Sequence, residues 1–181
     1  MPNHTSFLDP FAISVASPRF TIGIEKEQNL KVPVYGWLVK WWGNIHIDRT
    51  NREKAINQLK AAAELLKNGE VITIAPEGTR SRTGELGEFK KGGFHMAIDG
   101  HADIIPITIL GMREVNPDRR FRLRKGTVTI VFHPPISTEN KSVSELMELV
   151  RTQIQCRLHT PLPIPLNNSK PNGYKVTNTP S

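Results

Sequence analysis

Cysteine occurs once, at Cys156, which excludes an internal disulfide and any multi-cysteine metal site. A reducing compartment is the default for such a chain. Cys156 falls in a stretch of helical pattern with no cysteine nearby, so a buried structural role is expected. Long apolar runs are also missing. No stretch approaches the roughly 18 consecutive apolar residues that a spanning helix needs. Residues 1–10 hold Pro2, His4, Asp9 and Pro10 and show neither a basic n-region nor an apolar h-region, so no export signal is evident. Docking on a membrane surface stays open. Acidic residues are in deficit: 17 Asp and Glu stand against 24 Lys and Arg, a net charge of +7. That excess implies an anionic partner without choosing among nucleic acid, membrane and phosphorylated small molecule. Several catalytic motifs are absent too. There is no Gly-x-Ser-x-Gly, no P-loop, no Gly-x-Gly-x-x-Gly and no His-Glu-x-x-His.

What is present is a chain of 181 residues, 38% hydrophobic and 23% charged. That suits one folded domain, not a disordered chain or a coiled coil. Apolar runs alternate with amphipathic stretches, the pattern of an α/β domain. Asp9 with Pro10 predicts a short capped helix. Strands are predicted at 20–24, 44–48, 71–75, 104–110 and 127–132, the third of them buried. Helices are predicted at 32–42 and 89–99. Thr50 and Glu53 have capping-box spacing, and Ile56, Leu59, Ala63 and Leu66 recur at helical intervals up to Gly69. Ser142 and Glu145 open a last helix, ending near 158. From Pro161 onward Pro, Asn, Ser and Thr dominate, so 161–181 is read as a disordered or loosely packed tail.

Four groups of residues can carry chemistry. In Asn3-His4-Thr5-Ser6-Phe7-Leu8-Asp9, a turn at His4 and a helix starting at Asp9 let the carboxylate reach the imidazole. One ring nitrogen is then fixed as a donor and the other can take a proton from a hydroxyl. A surface histidine beside a helix-capping aspartate has the same spacing. With six histidines, such a pair arises by accident in roughly a quarter of chains of ordinary Asp content. Alone, the pair favours that plainer reading. Pro76-Glu77-Gly78-Thr79-Arg80-Ser81-Arg82 follows a predicted strand, where α/β folds bind ligands, and its arginines suit phosphate. Arg49, after Asp48, adds a cation at another strand end. Lys90 and Lys91 stand at a predicted helix start, where they oppose the helix dipole and hint at a bound anion, although a solvated charge pair is the commoner explanation.

Two broader patches complete the set. Val34, Trp37, Leu38 and Trp41 share a helical face, with Lys31 and Lys40 flanking. A membrane-interface or acyl-contact surface and a buried core helix fit that face equally. Arg119, Arg120, Arg122, Arg124 and Lys125 form a basic run; on a strand, Arg120, Arg122 and Arg124 would share one face. Lipid headgroups or an acidic carrier protein would fit there. No helix-turn-helix, zinc-finger or RNA signature supports nucleic acid.

Taken in order, these segments resemble the glycerolipid acyltransferases that include lysophosphatidic acid acyltransferase. Residues 3–9 look like that family's first motif and Gly43-Asn44-Ile45-His46-Ile47-Asp48-Arg49 like its second. Pro76-Glu77-Gly78-Thr79-Arg80-Ser81 look like the third, and Ile105-Pro106-Ile107 resemble the fourth. Phe89-Lys90-Lys91-Gly92 also falls where the family commonly has it. The resemblance covers residues 3 to about 136. It implies an α/β fold of the glycerol-3-phosphate acyltransferase type, one domain over 1–160 with a mixed, mostly parallel sheet flanked by helices. In the family a hydrophobic segment and a strand ordinarily precede the first motif. Neither precedes residue 3 here, so the domain reads as N-terminally shortened and residues 1–4 as prone to fray.

The implied reaction is transfer of a fatty acyl group from acyl-CoA or acyl carrier protein to the free hydroxyl of 1-acyl-glycerol-3-phosphate, giving phosphatidic acid. His4 would be the general base and Asp9 its orienter, with no acyl-enzyme. Arg49, Glu77, Gly78, Thr79 and Arg80, with Lys90 and Lys91, would bind the phosphorylated acceptor. Ile105 and Pro106 would shape the acyl-donor side. No metal or cofactor is implied beyond the thioester co-substrate, and no nucleic acid. The expected place is peripheral, on the cytoplasmic face of a membrane. Another acceptor, such as glycerol-3-phosphate, and a non-catalytic basic lipid-binding module are the alternatives.

Overall fold

The first helix begins where the sequence places it, but its aspartate looks backward rather than forward. In the computed structural model, which describes residues 1–117 and 122–160, α1 (Asp9–Ala16) has Leu8 as its N-cap and Pro10 in its first turn, with no side-chain cap. The Asp9 carboxylate instead serves the turn before the helix. β1 (Ile22–Lys26) follows, then a 3-10 turn (Glu27–Lys31) and α2 (Tyr35–Trp41). β2 (Ile45–Ile47) leads to α3 (Arg52–Lys67), the longest amphipathic stretch of the first half. The cap of α3 differs from the expected one. Asn51, one residue on, accepts from the Lys54 amide, while the Thr50 hydroxyl donates back to Asp48.

β3 (Ile72–Thr73), α4 (Gly92–Asp99), β4 (Ile107–Leu110), α5 (Met112–Val115), β5 (Thr129–Phe132) and α6 (Val143–His159) complete the order. Apart from β1, which keeps its expected length but starts later, the strands are shorter than the apolar runs that predicted them, and β3 is half-buried rather than buried. At α6 the reciprocal cap is formed as read. The Ser142 hydroxyl accepts from the Glu145 amide, and the Glu145 carboxylate accepts from the Ser142 amide at 2.7 Å.

β1 lies between β2 and β3, parallel to both, with Ile24 opposite Ile45 and Ile22 opposite Ile72. β4 and β5 pair antiparallel. The mix of parallel and antiparallel pairing matches the α/β expectation. Helix α3 covers the parallel sheet through Ala62 and Ala63, which meet Met96 of α4 and the flanking isoleucines of all three strands. Ile56, expected on that inner face, is instead exposed. A second cluster joins α4 to α6 through Phe94, Leu146, Val150 and Ile154. Cys156 lies on the outer side of α6 and is exposed, contrary to expectation. The helical pattern that suggested burial turns Val150 and Ile154 inward and leaves position 156 outside.

The first residues are not frayed. Met1 and Asn3 bracket the Ile107 peptide: the Ile107 amide donates to the Met1 carbonyl at 3.0 Å, and the Asn3 amide donates to the Ile107 carbonyl at 3.3 Å. Pro2 thereby forms a parallel bridge with Ile107. The Asn3 side chain is buried and clamps Ile109 from both sides, donating to its carbonyl and accepting from its amide. A short extended segment therefore leads into His4 alongside β4. The basic run behaves differently from its expectation. Arg119, Arg120 and Phe121 lie outside the described residues, and Arg122, Arg124 and Lys125 are in irregular chain rather than a strand. The stretch 161–181 also lies outside the described residues.

Candidate active site

The site is built around the turn from Asn3 to Asp9. The Asp9 carboxylate is 1% exposed. Its Oδ2 accepts three hydrogen bonds, from His4 Nδ1 at 2.8 Å, the Thr5 amide at 2.7 Å and the Ser6 amide at 2.9 Å. Its Oδ1 has no partner among the described residues. The position, in the first turn of α1, also suits an anion because the helix dipole is positive there. A carboxylate only accepts, so His4 Nδ1 carries the proton. His4 Nε2 is thereby the basic nitrogen, and it is bonded to no described residue. His4 itself stands at the wall of a cavity of about 360 Å³.

That cavity also collects residues from distant parts of the chain. Arg49, Gly78, Thr79 and Arg80 line it with His4 and Asp9. Arg49 Nη1 donates to the Gly78 carbonyl. Gly78 has φ +69°, and an added Cβ would come within 3.1 Å of the Arg49 guanidinium. Backbone angle and close approach thus both call for glycine there. The loop is anchored to the His4–Asp9 turn as well, because the Ser81 amide donates to the His4 carbonyl at 2.7 Å.

Glu77 occupies a different place from the one expected. It is 4% exposed and does not line the cavity. One of its oxygens accepts from the His4 amide at 2.9 Å, the other from the Gly87 amide at 2.8 Å. Its role is to hold two loops together, with His4 on one of them. Lys90 and Lys91 also stay outside the cavity, both exposed. Lys90 pairs loosely with Glu88 at 3.4 Å. Ile105 and Pro106 are likewise absent from the lining. Ile105 is exposed and Pro106 buried, and their carbonyls accept from the Met1 amino group and the His133 amide. The fourth motif thus fastens the strand edge that leads to His4.

The cavity also contains a pair that no motif announced. Glu25, on β1, accepts from the Tyr35 hydroxyl at 3.0 Å and from the Asn29 amide group at 2.7 Å. The Tyr35 pKa is driven up, first by burial and then by the adjacent Glu25 carboxylate, with Arg80 opposing the rise. Asn44 accepts from the Gly23 amide at 2.9 Å. Phe7, Phe11, Ile13, Leu38, Val39 and Trp42 supply an apolar wall. Sequence spacing gave no sign of the Glu25–Tyr35 pair, since the two meet only when the turn after β1 folds α2 back. Of the expected helical face, Leu38 lines the cavity, while Val34, Trp37 and Trp41 are exposed.

The family model for acyltransferases matches residues 1–110, more than half of the chain and the part that contains the whole cavity. The chain belongs to the acyltransferase family. A 1-acyl-sn-glycerol-3-phosphate acyltransferase of Limnanthes douglasii is 35% identical over 151 residues, covering 82% of this chain and 53% of its own length. One from Salmonella typhimurium is 36% identical over 137 residues, 75% of this chain and 54% of its own. The acyltransferase chain thus spans about half the length of the curated relatives it matches. The crystal structure of the 1-acyl-sn-glycerophosphate acyltransferase from Thermotoga maritima superposes with a TM-score of 0.71 at 28% identity, over 87% of this chain and 63% of that one. No helix among the described residues is long and apolar enough to cross a membrane.

Proposed function

We propose that the chain transfers a fatty acyl group from a thioester to the free hydroxyl of 1-acyl-glycerol-3-phosphate, forming phosphatidic acid. The observation that carries this is the opening of the His4–Asp9 pair onto the same cavity as Arg49 and Arg80. Two guanidiniums suit the phosphate of the acceptor, and the apolar wall suits its acyl chain. The relatives named above carry this activity in their names.

In the reaction, His4 Nε2 takes the proton of the acceptor hydroxyl as the oxygen attacks the thioester carbonyl carbon. The tetrahedral intermediate then expels the thiolate, which recovers the proton from the imidazolium. An ester bond forms, a carbon–sulfur bond breaks, and His4 ends as it began. Asp9 holds the ring and stabilises its cationic form. The donor is acyl-CoA or acyl carrier protein, and its acceptor places the enzyme at a membrane surface, on the cytoplasmic face where such thioesters occur.

The test is conversion of 1-acyl-glycerol-3-phosphate and labelled acyl-CoA to phosphatidic acid in detergent micelles, with acyl carrier protein as a parallel donor. Arg49→Gln and Arg80→Gln each remove a charge-assisted bond to phosphate. Each is expected to raise the acceptor KM roughly 10- to 100-fold with kcat little changed. With a lysophospholipid of neutral headgroup, native and variant proteins should be equally poor. No phosphatidic acid from the native chain with either donor would overturn the proposal.

A further inference from the structure

The outer face of α2 carries the two most exposed large aromatic side chains among the described residues. Trp37 and Trp41, one helical turn apart, are 70% and 71% exposed, and Val34 at the turn before them is 80% exposed. Contiguous exposed apolar groups of this size mark a contact surface. Tryptophan is the residue type enriched where apolar and aqueous phases meet. Lys31 and Lys40 flank the patch, both exposed, and neither side-chain ammonium forms an ion pair or hydrogen bond with a described residue. The nearby carboxylates are turned elsewhere. Glu25 holds Tyr35 and Asn29, and Glu27 pairs with Lys54 at 2.8 Å. The patch is therefore apolar and cationic at once.

The opposite face of the same helix lines the cavity through Tyr35, Leu38 and Val39, with Trp42 just beyond. We propose that the outer face of α2 docks on an anionic lipid bilayer, with Trp37 and Trp41 among the headgroups and Lys31 and Lys40 on lipid phosphates. The reactive cavity then lies one helix diameter, about 10 Å, from the leaflet. A two-fold contact with a second copy through this face would bring lysines of one copy close to those of the other, whereas anionic headgroups match them. The proposal draws its purpose from the reading of the acceptor as a bilayer lipid, but its test needs no turnover.

The experiment is sedimentation with vesicles of phosphatidylcholine and phosphatidylglycerol in equal parts, beside vesicles of phosphatidylcholine alone. Binding to the mixed vesicles is expected, with a blue shift of tryptophan emission. Trp37→Ser and Trp41→Ser should each weaken it roughly tenfold. Lys31→Gln and Lys40→Gln should each weaken it about fivefold, on the anionic vesicles only. All four positions are on the surface, and circular dichroism confirms that the variants fold. His4→Ala should bind as the native chain does. The proposal is overturned if the native chain ignores anionic vesicles, or if the double tryptophan variant binds them unchanged. It is also overturned if sizing reveals a dimer that the tryptophan variants dissolve. Acyl transfer separates the two readings. The tryptophan variants should lose transfer to acceptor held in vesicles and keep it with a short-chain acceptor in solution. Vesicle binding without any transfer would count against the reaction and leave the docking surface standing.

Discussion

His4→Ala is expected to lower kcat for acyl transfer by about 10²–10⁴-fold, the range for loss of a positioned general base. The KM for either substrate should move little, because in the proposed reaction the phosphate is held by Arg49 and Arg80, not by His4. Asp9→Asn offers a sharper experiment, owing to an asymmetry in the carboxylate. Oδ2 takes all three hydrogen bonds, whereas Oδ1 has none among the described residues. An asparagine can therefore keep its oxygen at the Oδ2 position and place its amide nitrogen where Oδ1 stood. The fold of the turn is retained and the negative charge is lost. A melting temperature close to native is expected beside a kcat reduced by on the order of 10²-fold or more, since the imidazolium loses its counterion. The double variant His4→Ala with Asp9→Asn should be no slower than His4→Ala alone, because the aspartate acts through the ring. Independent, multiplying losses would show that Asp9 does something other than support His4. The measurement is single-turnover transfer on all three variants, each with a thermal melt.

The contrast between Asp9 and Glu77 shows where sequence reading reaches its limit. The spacing of His4 and Asp9 is short enough that one turn settles their meeting, so it can be read from the chain. The last helix is equally legible, because Ser142 and Glu145 satisfy each other locally. At α3 the local signal was ambiguous: Thr50 and Asn51 are both good caps, and Asp48 captured the threonine hydroxyl. Glu77 is a harder case. A loop after a strand presents some side chains to the ligand and sends others into the protein, and residue type does not say which. What sends Glu77 inward is a pair of backbone amides, at His4 and Gly87, that are remote in sequence. The pairing of β1 with both β2 and β3 has the same character, as do the meeting of Glu25 with Tyr35 and the bridge from Pro2 to Ile107. Each is a long-range contact that periodicity does not encode. The two faces of α2 illustrate the point in reverse. The apolar stripe was visible, but its division between cavity and surface depends on the sheet it leans against.

Glu77→Ala should accordingly behave as a displaced base rather than a lost ligand. The substitution leaves two amides without their acceptor, one at the half-buried His4 and one at the exposed Gly87. An unsatisfied buried donor costs about 1–3 kcal/mol, and water can reach the Gly87 amide, so a destabilisation of about 1–2 kcal/mol is expected, read as a fall in the urea midpoint. The catalytic effect follows from the geometry. The His4 amide is 2.9 Å from the Glu77 carboxylate, and once released, the backbone that carries the imidazole is free to shift. A misplacement of about 1 Å can cost on the order of 10²-fold in rate. The loss should appear in kcat, with the acceptor KM within a few-fold of native. A residue that bound phosphate would show the reverse split, and a merely structural one would leave kcat intact at a temperature where the variant is folded. Glu77→Gln separates these outcomes further. Its single carbonyl oxygen can satisfy one amide, while its NH₂ group opposes the other, so about half of the stability loss should return. If the restored bond is the one to His4, most of kcat returns with it; if it is the one to Gly87, kcat stays low. Either result ties turnover to the His4 amide, and an acceptor KM raised tenfold or more in both variants would place Glu77 on the substrate instead.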